Sequence, residues 1–595
     1  MKKIKLLSLF SIIIFHYTFA QTPKDRLLDW SKAGYLIENK ATELKRINFI
    51  DVGGKNDGLT DNSALLKKLI NENLLNGAEI IFPKGKYFFC ANIVLSNKIH
   101  LKGEGPTNTQ FIFDLKGVGD AIIAKGMESG TFVALTSDLK RGSKLLIISD
   151  SKGFSVGDWI ELRCQNNPYM ESTWAKKSLG FITQIEQIKG NEIQVKDEAR
   201  LDFLSTLQPQ IQKIRPLQGI LIENLKISRK DATNEQTSHL EWNYVVNAQI
   251  RTVEMENANF SFIALGKCSN ISISSSYFHD AFNYGDGGKG YGVALQFASS
   301  NCLVENNIFK NLRHSMILQS GANGNVVSYN YSLEPQWTGT WLPKTSAGDI
   351  VLHGNYPYAN LFEGNIVQNI VIDDSHGSNG PWNTFFRNRA ENYGIFMNAG
   401  AGNNMNFIGN EITAEGFLTG QYILTGTGHY EAYNQDNKVI KPTNSTPIKE
   451  NSLYLKNKPT FWESQLYPCC GNVTTYKVGH NPAYDRFLFK RIFNPITETG
   501  SGSTATIPPA AIEPSSDVAF TCKTYKKNCY KCEGGYSYSI SVKAPGSSKI
   551  WDYSINNGTT WQSSSYFKNL KKGSYVVMIK DEWGTKTGKM TVVVE

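Results

Sequence analysis

Long apolar runs are missing from this 595-residue chain. The longest, Leu6 to Phe15, covers ten residues, about half of what a transmembrane helix needs, so no transmembrane segment is expected. Runs of basic residues are missing too. A formal charge of +9 is mild at this length, and nucleic-acid binding has no support. Charged residues make up only 19% against 41% hydrophobic, which excludes a disordered polyelectrolyte. Proline is sparse at 20, and the 51 glycines keep no fixed period, which excludes a collagen-like chain. What remains is a globular chain of about two to four domains.

The N-terminus carries a basic Met1-Lys2-Lys3-Ile4-Lys5, the short apolar run, and a small-residue junction at Thr18-Phe19-Ala20-Gln21. This predicts a signal peptide over 1–20 and a secreted or cell-surface protein. Nine cysteines are present. Cys90, Cys164, Cys268 and Cys302 sit singly in apolar, strand-like contexts and read as core filling. Cys469, Cys470, Cys522, Cys529 and Cys532 cluster late. In an exported chain that cluster predicts a disulfide rather than a zinc site, because Cys529-x-x-Cys532 has no second ligand pair at ribbon spacing.

The middle of the chain repeats. Cys302-Leu303-Val304-Glu305-Asn306, Val326-Val327-Ser328-Tyr329-Asn330, Leu361-Phe362-Glu363-Gly364-Asn365, Thr384-Phe385-Phe386-Arg387-Asn388 and Asn406-Phe407-Ile408-Gly409-Asn410 share an apolar strand ending in Asn. The Asn residues are 24, 35, 23 and 22 positions apart. Short period-2 strands recurring at such spacing predict a solenoid of stacked parallel coils. Asn suits the corner because it tolerates a left-handed backbone and can bond to the Asn one coil away. Two coils are overlong and carry Asp280 to Gly292 and Leu333 to Gly348. Loops inserted into a regular solenoid usually build a binding lip.

Before the repeats, Ile50-Asp51-Val52-Gly53-Gly54-Lys55-Asn56-Asp57-Gly58-Leu59-Thr60-Asp61-Asn62 leads into an amphipathic helix, Ser63 to Asn73. Ile80-Ile81-Phe82-Pro83-Lys84-Gly85-Lys86-Tyr87 follows. This stretch resembles the opening coils of the pectate-lyase-like superfamily of right-handed parallel β-helix proteins. The resemblance implies that all-β fold over about sixty residues, and no single activity, because lyases, hydrolases and phage tailspikes share it. The expected organisation is a signal peptide (1–20), a polar helical cap (21–45), a parallel β-helix (46–435) and its C-terminal seal (436–496). A Gly/Ser/Thr/Pro linker (497–516) and a small β-sandwich (517–595) follow. The stretch from Tyr553 to Tyr575 resembles repeats in Bacteroidetes surface proteins, which leaves attachment, secretion or glycan binding open for the last module.

Counted from the repeat Asn, His314 falls eight residues after Asn306, and Asp373 and Asp374 eight and nine after Asn365. Asp349 falls about seven after Asn330 once the insertion is set aside. On coils stacked about 4.8 Å apart, this register predicts that His314, Asp349 and Asp373 or Asp374 project from one sheet. His353, His376, Arg313, Arg387 and Arg389 lie near them in sequence, and Trp337, Trp341 and Trp382 offer flat faces for sugar rings. The expected catalytic set is His314, Asp349, Asp374 and His376. Arg313, His353, Arg387, Arg389 and the three tryptophans are the expected substrate contacts, and Asp373 the ligand of a bound calcium.

Such a groove suits a lyase that cleaves a uronic-acid-containing polysaccharide by β-elimination. It also suits a glycoside hydrolase with paired Asp residues. A non-catalytic glycan-binding or adhesive protein is the third reading. Asp373-Asp374-Ser375-His376-Gly377 resembles elements of both the polygalacturonase and pectate-lyase branches, and the arginine motifs of both are absent. The mild positive charge and three arginines favour the lyase on an anionic polysaccharide, acting as a monomer.

Overall fold

The computed structural model describes residues 24–36, 44–285, 287–416, 418–462, 465–493, 521–528, 536–544, 551–557, 560, 562, 564–581 and 587–594. The expected signal peptide and linker, with Cys529 and Cys532, lie outside the described residues.

Three parallel sheets run the length of a β-helix. The first stacks Ser269–Ser274, Leu303–Glu305, Val326–Ser328, Leu361–Glu363, Thr384–Phe386, Asn406–Ile408 and Tyr430–Ala432. The second continues each coil through Tyr277–Ala281, Ile308–Lys310 and Tyr331–Leu333. The third stacks Ser261–Gly266, Tyr291–Gln296, His314–Leu318, Ile350–Leu352, then 370–372 and 394–397. Alternate residues point into a shared core, so equivalent side chains stack coil on coil. Phe362, Phe385 and Phe407 lie 4.7 and 5.1 Å apart with nearly parallel rings. The helix expected after Asn62 is present as Ser63–Glu72 and buries Leu66, Leu69 and Ile70.

The corner divides between two residues the work that the sequence reading gave to one. Side-chain amides form a ladder Asn307–Asn330–Asn365–Asn388–Asn410–Asn434, each Nδ2 donating to the next Oδ1 at 2.8–3.0 Å. The positive φ falls on the residue before each: Asn306 (56°), Tyr329 (53°), Gly364 (64°), Arg387 (54°), Gly409 (65°) and Tyr433 (52°). Asn307, not Asn306, is therefore the register partner of Asn330. Left-handed Tyr and Arg cost about 1 kcal/mol each. The buried amide bonds on the next residue hold the chain there, since leaving them unmade costs more.

Two segments differ from expectation. Residues 127–215 interrupt the β-helix as a six-stranded antiparallel sheet with its own core around Leu162, Phe181 and Ile211. The solenoid resumes at Leu217–Gln218, so 46–435 is not continuous coil. Alternating strands in that insertion look the same in sequence as alternating strands of coils. Residues 24–36 are an extended strap rather than a helical cap, with one 3-10 turn at Lys24–Arg26. The strap runs along the coils: Arg26 Nε donates to Asn406 Oδ1 (2.9 Å), Trp30 Nε1 to Ala359 O (2.9 Å) and Tyr35 N to Ser272 Oγ (2.8 Å).

Tyr454, Trp462, Cys469 and Cys470, from the segment after the last coil, pack with Tyr329, Phe386 and Ile408 of the first sheet. A second compact unit covers 488–491 and 495–595. Its described strands form two three-stranded antiparallel sheets with one core that includes Ile540, Trp551, Val577 and Val594.

Candidate active site

The third sheet gathers the polar side chains. Tyr291 and His314 are register partners on successive coils, with rings 4.9 Å apart. Ile350–Leu352 and 370–372 pair in register, so His353 and Asp373, the next residue of each, lie side by side. His353 Nδ1 donates to Asp373 Oδ2 at 2.7 Å, and Asp373 Oδ1 accepts from Ser375 N at 3.0 Å. The His353 ring lies 6.0 Å from His314 and 4.9 Å from His376. Buried Ala294, Ile317 and Val351 form an apolar cluster of the same sheet.

Both overlong loops meet over Arg313. Its backbone N donates to Gly290 O, and its Nη1 donates to Gly285 O. Thr338 N donates to Tyr284 O at 3.2 Å, which ties one loop to the other. The guanidinium lies 5.9 Å from the Tyr291 ring and 5.5 Å from that of Trp337. Arg313 Nε and Trp337 Nε1 are buried donors without a partner among the described residues. On the other side the antiparallel insertion supplies Ser172, whose Oγ lies 3.4 Å from His376 Nδ1, and Trp174, whose ring lies 5.4 Å from that of His376.

Burial pushes the His314 pKa down to about 3, with Arg313 adding to the effect, so the ring is neutral. Its Nδ1 faces Gly348 O at 2.9 Å, and a carbonyl can only accept. The proton therefore sits on Nδ1, and Nε2 keeps a lone pair. Burial opposes ionisation of Asp373, yet its hydrogen bonds with His353 and the backbone N–H of Ser375 outweigh it and hold the carboxyl below its usual range. The carboxylate fixes the His353 tautomer with the proton on Nδ1. Burial raises the Tyr291 phenol, and the Arg313 charge opposes the rise.

Arg313, His314, Trp337, His353, Asp373 and His376 are thus brought together as the sequence suggested. The rest separate. Asp349 is buried at the corner between the second and third sheets. It accepts from Ser332 Oγ (2.5 Å), Gln368 N (2.9 Å) and Asn369 N (2.8 Å). It pairs with Asn369 rather than Asp373, because the next coil is short: Ile366 to Ile370 spans what Ile308 to Met316 spans two coils earlier. Asp374 is exposed at the rim and accepts from Asn398 Nδ2 at 3.1 Å. Trp341 is 92% exposed. Trp382 lies in a different cleft of about 390 Å³ beside Tyr169 and Tyr356, with Arg141 and Arg26 at 4.5 and 5.2 Å from its ring.

Arg387 and Arg389 are each 1% exposed and cannot reach a substrate. Arg387 donates to the carbonyls of Ile448, Glu450 and Cys470. Arg389 pairs with Glu411 at 2.7 Å and donates to Gly479 O and Thr475 O. They clasp the segment that follows the last coil.

The residues do not fit the expected calcium. Protein donors engage Asp349 and Asp373, and Asp374 does not join them in a ligand cluster among the described residues. The one group at ligand spacing there is Glu254, Glu256 and His279. Lys226 already bridges both glutamates at 2.7 Å.

Sequence reasoning missed Tyr291, Ser172 and Trp174. Tyr291 stands 23 residues before His314, one coil period, and that spacing was its signal. Ser172 and Trp174 had none, because they arrive from the insertion.

Residues 46–156 match the family described as rhamnogalacturonase A/epimerase, pectate lyase-like. The class defined by the stacked coils is the parallel β-helix. Within it the opening coils are similar to the pectate-lyase-like family, over about a fifth of the chain. A K1-specific capsule depolymerase of Klebsiella phage K64-1 is 23% identical over 244 residues, 38% of this chain and 26% of the phage protein, so the chain spans about a quarter of that relative's length. The tailspike gp49 of Pseudomonas phage LKA1 is 15% identical with a TM-score of 0.47, over 62% of this chain and 64% of the tailspike. The A-module of Azotobacter vinelandii mannuronan C-5 epimerase AlgE4 is 10% identical with a TM-score of 0.37, over 66% of this chain and 89% of the module.

Proposed function

We propose that the protein is an exported enzyme that degrades a uronic-acid-containing polysaccharide by β-elimination. One observation carries this reading: the cleft combines an arginine, a tyrosine and a carboxylate-held histidine, and protein donors engage its buried carboxylates Asp349 and Asp373. A hydrolase needs one carboxyl to protonate the leaving oxygen and a second to activate water or attack. Asp349 is enclosed by its donors and Asp373 is held by His353, so neither meets that need.

In the elimination, a sugar carboxylate sits against the Arg313 guanidinium, which lies beside the Tyr291 and Trp337 rings. Its negative charge is offset by the guanidinium, which makes the C5 proton more acidic. His353 removes that proton through Nε2, and Asp373 steadies the imidazolium that forms. The electrons form the C4–C5 double bond, the bond from C4 to the leaving oxygen breaks, and Tyr291 delivers its phenolic proton to that oxygen. His314 lies between the two and offers a neutral acceptor for returning the proton to Tyr291. The phage depolymerase match supports a polysaccharide as the polymer.

The test is a panel of acidic and neutral polysaccharides, monitored for the ultraviolet absorbance of unsaturated uronate and for new reducing ends. Both signals should rise together on a uronate polymer. Reducing ends without absorbance would mean hydrolysis. Silence on every polymer would leave a glycan-binding protein.

A further inference from the structure

Cys469 and Cys470 are adjacent in sequence, 1% and 0% exposed, and their sulfurs lie 3.3 Å apart. The proposed elimination uses neither. Their backbone is pinned on every side. Arg387 Nη1 donates to Cys470 O at 3.1 Å, and Gly471 N donates to Glu411 Oε1 at 2.6 Å. Cys469 O packs against Gly479 so closely that a Cβ there would lie 1.9 Å from it. The buried Arg389–Glu411 pair supports the same turn. The fold therefore holds two thiols in contact that an unfolded chain would leave free to rotate apart.

We propose that Cys469 and Cys470 form a reversible vicinal disulfide, closed by an external disulfide of the glutathione type and opened by thiols. Closure removes two protons and two electrons from the pair and makes one S–S bond, while the oxidant's disulfide is reduced to two thiols. A trans peptide sets adjacent Cα atoms about 3.8 Å apart, below the usual disulfide range of about 4.4–6.8 Å. The bond is therefore strained and easily reduced, and so short a loop adds little chain-entropy stabilisation. It suits a reporter of the redox surroundings better than a permanent staple. Closing it would stiffen the turn that Arg387 and Glu411 hold, where the last segment is fastened to the coils.

The full-length protein is equilibrated in glutathione buffers of graded ratio, once folded by refolding in that buffer and once held unfolded in urea. It is then acid-quenched, alkylated in denaturant and mapped by mass spectrometry. The peptide carrying both cysteines should be 2 Da lighter and unlabelled under oxidising ratios, since closure removes two hydrogens. It should take two labels after mild thiol. Its closure constant should exceed that of the urea-unfolded chain on the order of tenfold, because the folded turn holds the sulfurs together. Cys470→Ser should abolish the mass loss. Two labels at every ratio in both preparations, equal closure in folded and unfolded chains, or a bond from either residue to another cysteine would overturn the proposal.

Discussion

Asp349 and Asp373 lie on neighbouring coils and differ in what their oxygens touch. Asp373 orients a histidine that has its other nitrogen to use, whereas Asp349 is enclosed by a hydroxyl and two amides. Asp373→Asn should leave the fold intact and lower kcat/KM about a hundredfold or more, because an amide can no longer fix the tautomer or steady the imidazolium. Tyr291→Phe should lower kcat by a similar factor with little change in KM, as loss of a proton donor does. Asp349→Ala should instead act on stability. Losing an acceptor for three buried donors costs about 3 kcal/mol, read as a lower denaturation midpoint, with turnover of the folded fraction within about threefold of the parent. A collapse of kcat in well-folded Asp349→Ala would return that residue to the chemistry.

Among elements, the Asn ladder and the segment after the last coil give separate tests. Asn365 makes four buried hydrogen bonds, two donated and two accepted. Asn365→Ala should destabilise by about 3 kcal/mol, more than Asn434→Ala at the ladder's end. Equal losses would mean that the ladder does not act as a chain.

Glu305 and Glu363, on the first sheet, face that last segment and accept hydrogen bonds from Tyr454 and Tyr329. Burial raises both carboxyls to about 7. A folded pKa above the unfolded value means the folded state binds more protons. Their contribution to stability is full below about pH 4 and is lost as pH rises through about 7. The melting temperature should therefore carry a component that falls between about pH 5 and 8, and Glu305→Gln should flatten it. An unchanged slope would show that the carboxyl ionises freely in the folded state.

At the scale of the molecule, each of the two compact units has its own core. Calorimetry should show two unfolding transitions, and site variants such as Asp373→Asn should leave the one from the C-terminal unit unmoved. Coincident shifts of both would contradict separate cores.

The stacked coils were legible in the sequence because period-2 strands at a spacing of 22 to 24 have few other ways to bury their apolar faces. The amphipathic helix and the polar residues of the third sheet were legible for the same reason: they are local patterns. Sequence alone could not assign register across the overlong loops. A short coil after Ile366 put Asp349 at a corner opposite Asn369, and the segment after the last coil buried Arg387 and Arg389 as a clasp. Nor could it show that residues 127–215 form an antiparallel sheet bringing Ser172 and Trp174 to His376, or that a strap crosses the coils from Ser272 to Gly428. Those contacts join residues as many as 402 positions apart. Only the closed fold decides them, because local pattern fixes which residues are buried and tertiary packing fixes against what.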